Sequence, residues 1–354
     1  MIEHKLYQED LEQINNIDIP WKLLEGKTIL VTGAFGLIGS VIVDALIFRN
    51  EVMKADINIW VLSRNEDLLK ERYRKYLGKK YFHYILQDVC NKIIINSPID
   101  YIIHGASKGD PNSFATNPVG VMNANYMGMF QVLELAREKN SKKVVYISSG
   151  EVYGIVDKEV SDIQNEGLCE KDYGYLEILN ARSCYSSSKK AAETLCVAYS
   201  NQFGIDVSIA RPCHTYGATM LETDNRVIGE YLRSALKQSN IVMKSKGLQR
   251  RSYCYVSDMV AALFCILLIG DNCNAYNIAN KKSIISIREL AELIAQITSS
   301  TVKYEIPIEH TKTNDSNIVN AILDASKLEG LGWNPKVGIQ EGIDRTLRIL
   351  QSSV

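Results

Sequence analysis

The run ILVTGAFGLIGS places Gly33, Gly36 and Gly39 three residues apart, directly after a β-rich stretch and directly before a helical one. A glycine turn in that context lets backbone approach a phosphate closely, while the free N–H groups of the helix start stabilise its negative charge. Residues 28–32 read as the strand and 38–48 as the helix, so the unit is strand, turn, helix. The spacing is GxxGxxG rather than the commoner GxGxxG, and the flanks therefore carry the assignment as much as the glycines do. Gly33, Phe35, Gly36, Leu37, Ile38 and Gly39 form the expected cradle of a dinucleotide pyrophosphate.

The same alternation recurs, with strand-like apolar runs at 57–62, 81–86, 101–104, 143–148 and 207–210 and helical stretches at 119–139 and 184–203. Strands alternating with helices imply an α/β fold with a parallel, doubly wound sheet. After Arg211 the rhythm loosens into loops carrying Gly217, Gly229 and Gly247, then helical stretches at 226–237, 287–297 and 338–350. These suggest a smaller C-terminal substrate lobe over the carboxyl edge of the sheet. The expected division is an N-terminal appendage at 1–25, a dinucleotide-binding domain at 26–213 that returns near 253–278, and a substrate lobe over most of 214–354.

Composition narrows the partners. Lys plus Arg number 40 against 41 Asp plus Glu, a net charge of −1, which gives no general attraction to nucleic acid or acidic membranes. No apolar run reaches the ~18 to 20 residues of a membrane span; the longest, 259–269, suits a buried helix. The eight cysteines are scattered without a CxxC pair or a secretory signal ahead of them, so they are expected to be reduced cytoplasmic thiols, with no metal site.

Cofactor choice is set at the tip of the second strand, where an acidic residue favours NAD and an arginine NADP. Here the strand ends Ser63–Arg64 and the acids Glu66 and Asp67 come later, so the cofactor is NAD or NADP, with Arg64 leaning toward NADP. Further on, Tyr185 and Lys189 lie four residues apart in a helical stretch and share a face. A neighbouring ammonium and a cationic nicotinamide both favour the phenolate, which equips Tyr185 to take a proton from an alcohol as hydride leaves its carbon. Ser149 and Glu151 follow the 143–147 strand at its carboxyl end, where active sites of such sheets gather. Ser149 is placed to bond the same oxygen that Tyr185 deprotonates, and Glu151 to act as a second acid or base.

Together these residues make the chain resemble an extended short-chain dehydrogenase/reductase of the NAD-dependent epimerase/dehydratase family, over about residues 26–350. Ordered matches include TGAFGLIG, Asp88–Val89, the 104–107 segment, Asn125 with Gly128, SGEVYG, Tyr-x-x-x-Lys, RPCHTYG and RSYCYVSD. The resemblance implies a Rossmann-type sheet, a nucleotide-diphosphate sugar as substrate, and a homodimer through the helices bearing Asn125 and Tyr185. It adds Asp88, Val89, Ala106, Ser107, Asn125 and Pro212 to the cofactor site. Lys108, His214, Asn225, Arg226 and Arg251 join Ser149 in binding substrate, Arg251 at the diphosphate, while Asp258 is structural. The expected chemistry is transient oxidation of the sugar at C4, leading to epimerisation, decarboxylation or a variant dehydration; an NADPH-consuming ketosugar reductase and a non-catalytic dinucleotide sensor are the alternatives. Two departures stand out. Gly150 replaces the aspartate of the family's 4,6-dehydratases and the serine of its decarboxylases, and His214 replaces a substrate-binding asparagine.

Overall fold

In the central strands successive side chains face opposite sides of the sheet, and both sides are apolar. Ile29, Val31, Ile103 and Val145 point into one core, and Leu30, Ile102, Val144 and Tyr146 into another. That pattern requires helices on both faces. The computed structural model, which describes residues 1–306 and 321–352, supplies them.

In chain order the strands are β1 (Thr28–Thr32), β2 (Asn58–Ser63), β3 (Phe82–Leu86), β4 (Tyr101–His104), β5 (Lys143–Ile147) and β6 (Val207–Pro212). There follow β7 (His214–Tyr216), β8 (Ile241–Met243), β9 (Arg250–Tyr255), β10 (Asn274–Ile278), β11 (Asn280–Ser286) and β12 (Val302–Tyr304). The helices are α1 (Lys5–Asn15), α2 (Leu37–Met53), α3 (Glu66–Tyr73), α4 (Pro111–Thr116), α5 (Pro118–Lys139), α6 (Val160–Glu166) and α7 (Cys184–Phe203), then α8 (Val227–Leu236), α9 (Val256–Ile269), α10 (Ile287–Thr298), α11 (Ser326–Glu329) and α12 (Ile339–Gln351).

Seven strands pair in the order β10-β6-β5-β4-β1-β2-β3, every neighbour parallel. This is the doubly wound Rossmann-type sheet expected from the sequence, extended by β10. Helices α2 and α9 cover one face, and α5 and α7, packed on each other, cover the other. Strand order reverses between β1 and β4, so a crevice opens at their carboxyl ends, where ligands of such sheets bind.

Beyond β6 the region that reads as loops in the sequence holds a second sheet, β11-β9-β7, and a β12-β8 pair. Strands β7, β8 and β12 have three residues each, too few for a periodic signal, and β9 and β11 open on charged or polar residues, Arg250–Arg251 and Asn280–Lys282, that break the apolar run. The N-terminal stretch also folds onto the body. Tyr7, Leu11 and Ile14 of α1 are buried against α2 and α9, and their polar neighbours are paired: Tyr7 donates to Asp44 at 2.6 Å, and Asp10 accepts from Tyr255 at 2.7 Å and from Arg345 at 3.0 Å. Asp258, at the start of α9, accepts backbone N–H bonds from Lys336 and Val337 at 2.9 and 2.8 Å and a bond from Gln13. This buried carboxylate joins three distant segments.

Candidate active site

The glycine turn is shaped by contacts that exclude side chains. Gly33 has φ +72°, and a Cβ there would stand 2.5 Å from the Gly105 carbonyl oxygen. A Cβ on Gly39 would collide with the Gly33 carbonyl. The β1 and β4 ends therefore meet backbone to backbone, and α2 begins directly above them.

This turn floors a cavity of about 640 Å³ whose other walls come from the ends of β4, β5 and β6 and from Leu221, Thr223, Asp224, Ala321 and Leu323. Of the residues singled out from sequence, Gly33, Phe35, Gly36, Leu37, Ile38, Gly39, Arg64, Ser107, Lys108, Ser149, Glu151, Tyr185, Lys189, Pro212, His214 and Arg226 all line it. Seven others stand back from the surface. Ser63 bonds Asn65 backbone, Ala106 N donates to Thr32 Oγ1, and Val89 is buried beside Gly128. Asn125 is fully buried and donates to Ser188 at 2.9 Å. Asp88 receives Arg64 at 3.2 Å, so the arginine that leans toward a 2′-phosphate already has a carboxylate partner. Asn225 Oδ1 is buried without a hydrogen-bond partner among the described residues, and Arg251 bonds His214.

Tyr185 and Lys189 sit one turn apart on α7, buried, with the ammonium 5.7 Å from the phenol ring centre. Lys189 Nζ donates to the Ile147 carbonyl at 2.7 Å, which locks it to the end of β5. Phe114 stacks on the Tyr185 ring at 4.8 Å, and the Arg182 guanidinium lies 4.7 Å over the Phe114 ring. Arg182 also reaches Glu151 Oε2 at 3.5 Å, and Ser186 donates to the same oxygen at 3.1 Å. The Ser149 hydroxyl accepts from Glu151 N at 3.1 Å and caps a short helical turn at 150–153. Tyr153 pins that turn to the sheet, donating to Asn277 at 2.6 Å and accepting from Arg211, itself paired with Glu193 at 2.7 Å.

Burial dominates the electrostatics of the pair. Burial pushes the Tyr185 phenol up to about 12, the Glu151 carboxylate adds to this, and a bond from Ser149 opposes it. Burial likewise drives Lys189 down to about 7. Desolvation penalises every charged form in so enclosed a place. His214 is held well below its ordinary value by burial, then by Arg251 and Arg226, so its neutral ring accepts from Arg251 at 3.1 Å. Arg226 is clasped by Asp224 at 2.6 to 3.1 Å.

A dinucleotide fits these walls on two counts. The turn leaves its glycine faces free of Cβ atoms, and Ser107 Oγ and Ser148 Oγ line the cavity as buried hydroxyls without hydrogen-bond partners among the described residues, suited to polar ligand atoms. Phe114, Arg182, Leu168, Ala321 and Leu323 complete the surroundings and carry no signal in the sequence, since each is brought in by tertiary contacts from a remote segment.

The model of the NAD dependent epimerase/dehydratase family matches residues 29–279. Among curated proteins, UDP-glucuronic acid decarboxylase 6 of Arabidopsis thaliana is 34% identical over 318 residues, covering 89% of this chain and 86% of the relative. UDP-glucuronic acid decarboxylase 1 of Danio rerio is 31% identical over 324 residues, covering 91% and 72%. Among solved structures, UDP-glucose 4-epimerase of Thermotoga maritima with UDP-glucose superposes with a TM-score of 0.77 at 21% identity, over 92% of this chain and 99% of that one. The dTDP-glucose 4,6-dehydratase of Bacillus anthracis with NAD gives 0.73 at 20% identity, over 91% and 96%. These two share the fold.

Proposed function

The chain belongs to the NAD-dependent epimerase/dehydratase family, and from that premise we propose that it oxidises C4 of a nucleotide-diphosphate sugar transiently, lets a change occur at or beside that carbon, and then reduces it again. The observation that carries this reading is the convergence of Ser149, Tyr185 and Lys189 on one cavity with the glycine turn. Bound NAD supplies a hydride acceptor and donor. Gly33 to Gly39 would hold its pyrophosphate at the α2 start, and Lys189 its ribose.

The chain's own groups move the proton. Tyr185 takes it from the C4 hydroxyl and returns it, Ser149 bonds the same oxygen, and Phe114 fixes the angle of the phenol ring. Glu151, steadied by Arg182 and Ser186, is the second carboxylate beside the sugar. Arg226 and Arg251 suit the diphosphate, as guanidinium forks do. Epimerisation, decarboxylation and a variant dehydration all follow from a C4 ketone. The eight free thiols suit a cytoplasmic enzyme. Among the described residues no helix is long and apolar enough to cross a membrane. The exposed apolar face of α5, with Val119, Met122, Tyr126 and Met127, supports a homodimer through α5 and α7.

The purified protein is expected to sediment at twice 39.8 kDa, to release NAD on heat denaturation, and to convert a nucleotide sugar, followed by mass spectrometry, with no net change in nicotinamide absorbance. One reduced dinucleotide consumed per product would contradict the reading.

A further inference from the structure

Beside the reacting position the cavity wall is built in an unusual way. Ser149 and Glu151 face the cavity, but the residue between them is Gly150, and the space above it is taken from elsewhere. A Cβ at Gly150 would stand 3.0 Å from Leu323 Cδ1, 3.4 Å from the Pro212 carbonyl oxygen and 3.5 Å from Leu323 Cδ2. The three nearest atoms are thus two methyls and one acceptor, with no cation among them.

Leu323 is fixed there. Its backbone N–H donates to Ser252 Oγ at 3.2 Å, and its neighbours pair with Leu168, Leu168 N donating to Ile322 O and Asp324 N to Leu168 O, both at 2.9 Å. Gly167, at φ +78°, allows this approach, because a Cβ on it would meet Asp324 N at 2.8 Å. Leu323 and Leu168 are almost wholly buried, and with Ala321 and Cys213 they make this part of the wall apolar.

Such a wall selects the group that faces it. Of the two ring neighbours of an oxidised C4, C3 bears a hydroxyl, which needs a polar partner, whereas C5 bears hydrogen or carbon. The apolar wall suits C5. A C5 carboxylate would lose its hydration against two methyls and confront the lone pairs of the Pro212 carbonyl, with no cation among these nearest atoms to offset the burial of its charge. Hydrogen, methyl or hydroxymethyl meets no such penalty.

Resting on the C4-oxidation reading above, we propose that Leu323, seated over Gly150, is the specificity-determining residue of this site and restricts it to nucleotide sugars whose C5 substituent is uncharged. With no carboxylate to lose, and no acid at position 150 to protonate a departing hydroxyl, this wall favours inversion at C4 over decarboxylation and dehydration. The C4–H and O–H bonds broken on the way in are reformed, the former on the opposite face, and the net change is inversion at C4. No further reactant is needed.

The test gives the full-length enzyme, loaded with NAD, four substrates that differ at C5 alone: UDP-xylose, UDP-6-deoxyglucose, UDP-glucose and UDP-glucuronate, with the dTDP series in parallel. Expected is a kcat/KM for the best neutral sugar at least about 100-fold above that for the glucuronate, with C4 epimers as products. In Leu323→Ala combined with Gly150→Ser, where the hydroxymethyl of serine has room, the gap should shrink by about tenfold or more. Leu323→Val serves as the milder variant, and retained NAD content certifies folding for each. Preference of the wild type for UDP-glucuronate, or a ranking that stays put in folded Leu323 variants, overturns the proposal. If no sugar in either series reduces the bound dinucleotide even transiently, C4 oxidation itself is wrong and the proposal goes with it.

Discussion

Tyr185→Phe is expected to lower kcat by about a thousandfold while leaving NAD content and thermal midpoint nearly unchanged, because general acid–base groups contribute on the order of 10²- to 10⁴-fold. The substitution keeps the ring stacked on Phe114 at 4.8 Å and removes one oxygen. What is lost is the proton acceptor, not the packing. The pH dependence supplies a second readout. Burial and Glu151 hold the phenol up at about 12, so its base form increases as pH rises, opposed by the cationic ring of the bound cofactor, which draws the value down. Wild-type turnover should therefore climb with pH along a limb that the Phe variant lacks. Steady-state kinetics across pH reads both; a Phe variant within about threefold of wild type would remove Tyr185 from the chemistry.

Gly33→Ala should lose dinucleotide affinity by on the order of 100-fold, about 2.7 kcal/mol. The residue sits at φ +72°, where a Cβ costs about 1–2 kcal/mol even in free space. Here it would also press on Gly105 O, Gly105 C and Ala106 N at 2.5 to 2.7 Å, all backbone of the adjacent β4 end. Neither strand end can yield without opening the crevice proposed to hold the pyrophosphate. Gly36→Ala is the control, since a Cβ there meets one atom, Gly33 O, at an ordinary 3.5 Å. Fluorescence titration with NADH measures both, and equal losses in the two variants would show that the close approach at Gly33 is unimportant.

The parallel sheet was readable from the sequence because each of its first six strands is a short apolar run followed by a turn, and the glycine turn fixes where the crevice lies. Tyr185 and Lys189 were readable because helical spacing puts them on one face. Other features depend on neighbours that no local pattern reveals. Helix α1 reads as polar because Asp10 and Asn15 interrupt its apolar face, yet both are buried, with partners in Tyr255, Arg345 and Arg49 contributed by other elements. The balance between burial and charge at Lys189 is set by how deeply α7 is covered, which spacing does not encode. Leu323 reaches Gly150 from more than a hundred residues away, through a bridge to Leu168 that has no signature of its own.

The claim on which the rest depends is that hydrogen leaves C4 and comes back within one enzyme molecule. The direct measurement uses a converted nucleotide sugar carrying deuterium at C4, with the product analysed by mass spectrometry and NMR after turnover in ordinary water with unlabelled NAD in excess. The account predicts that deuterium remains at C4 of the product and is absent from solvent and from free NAD. Its loss to water, or its replacement by hydrogen from added dinucleotide, would contradict the account.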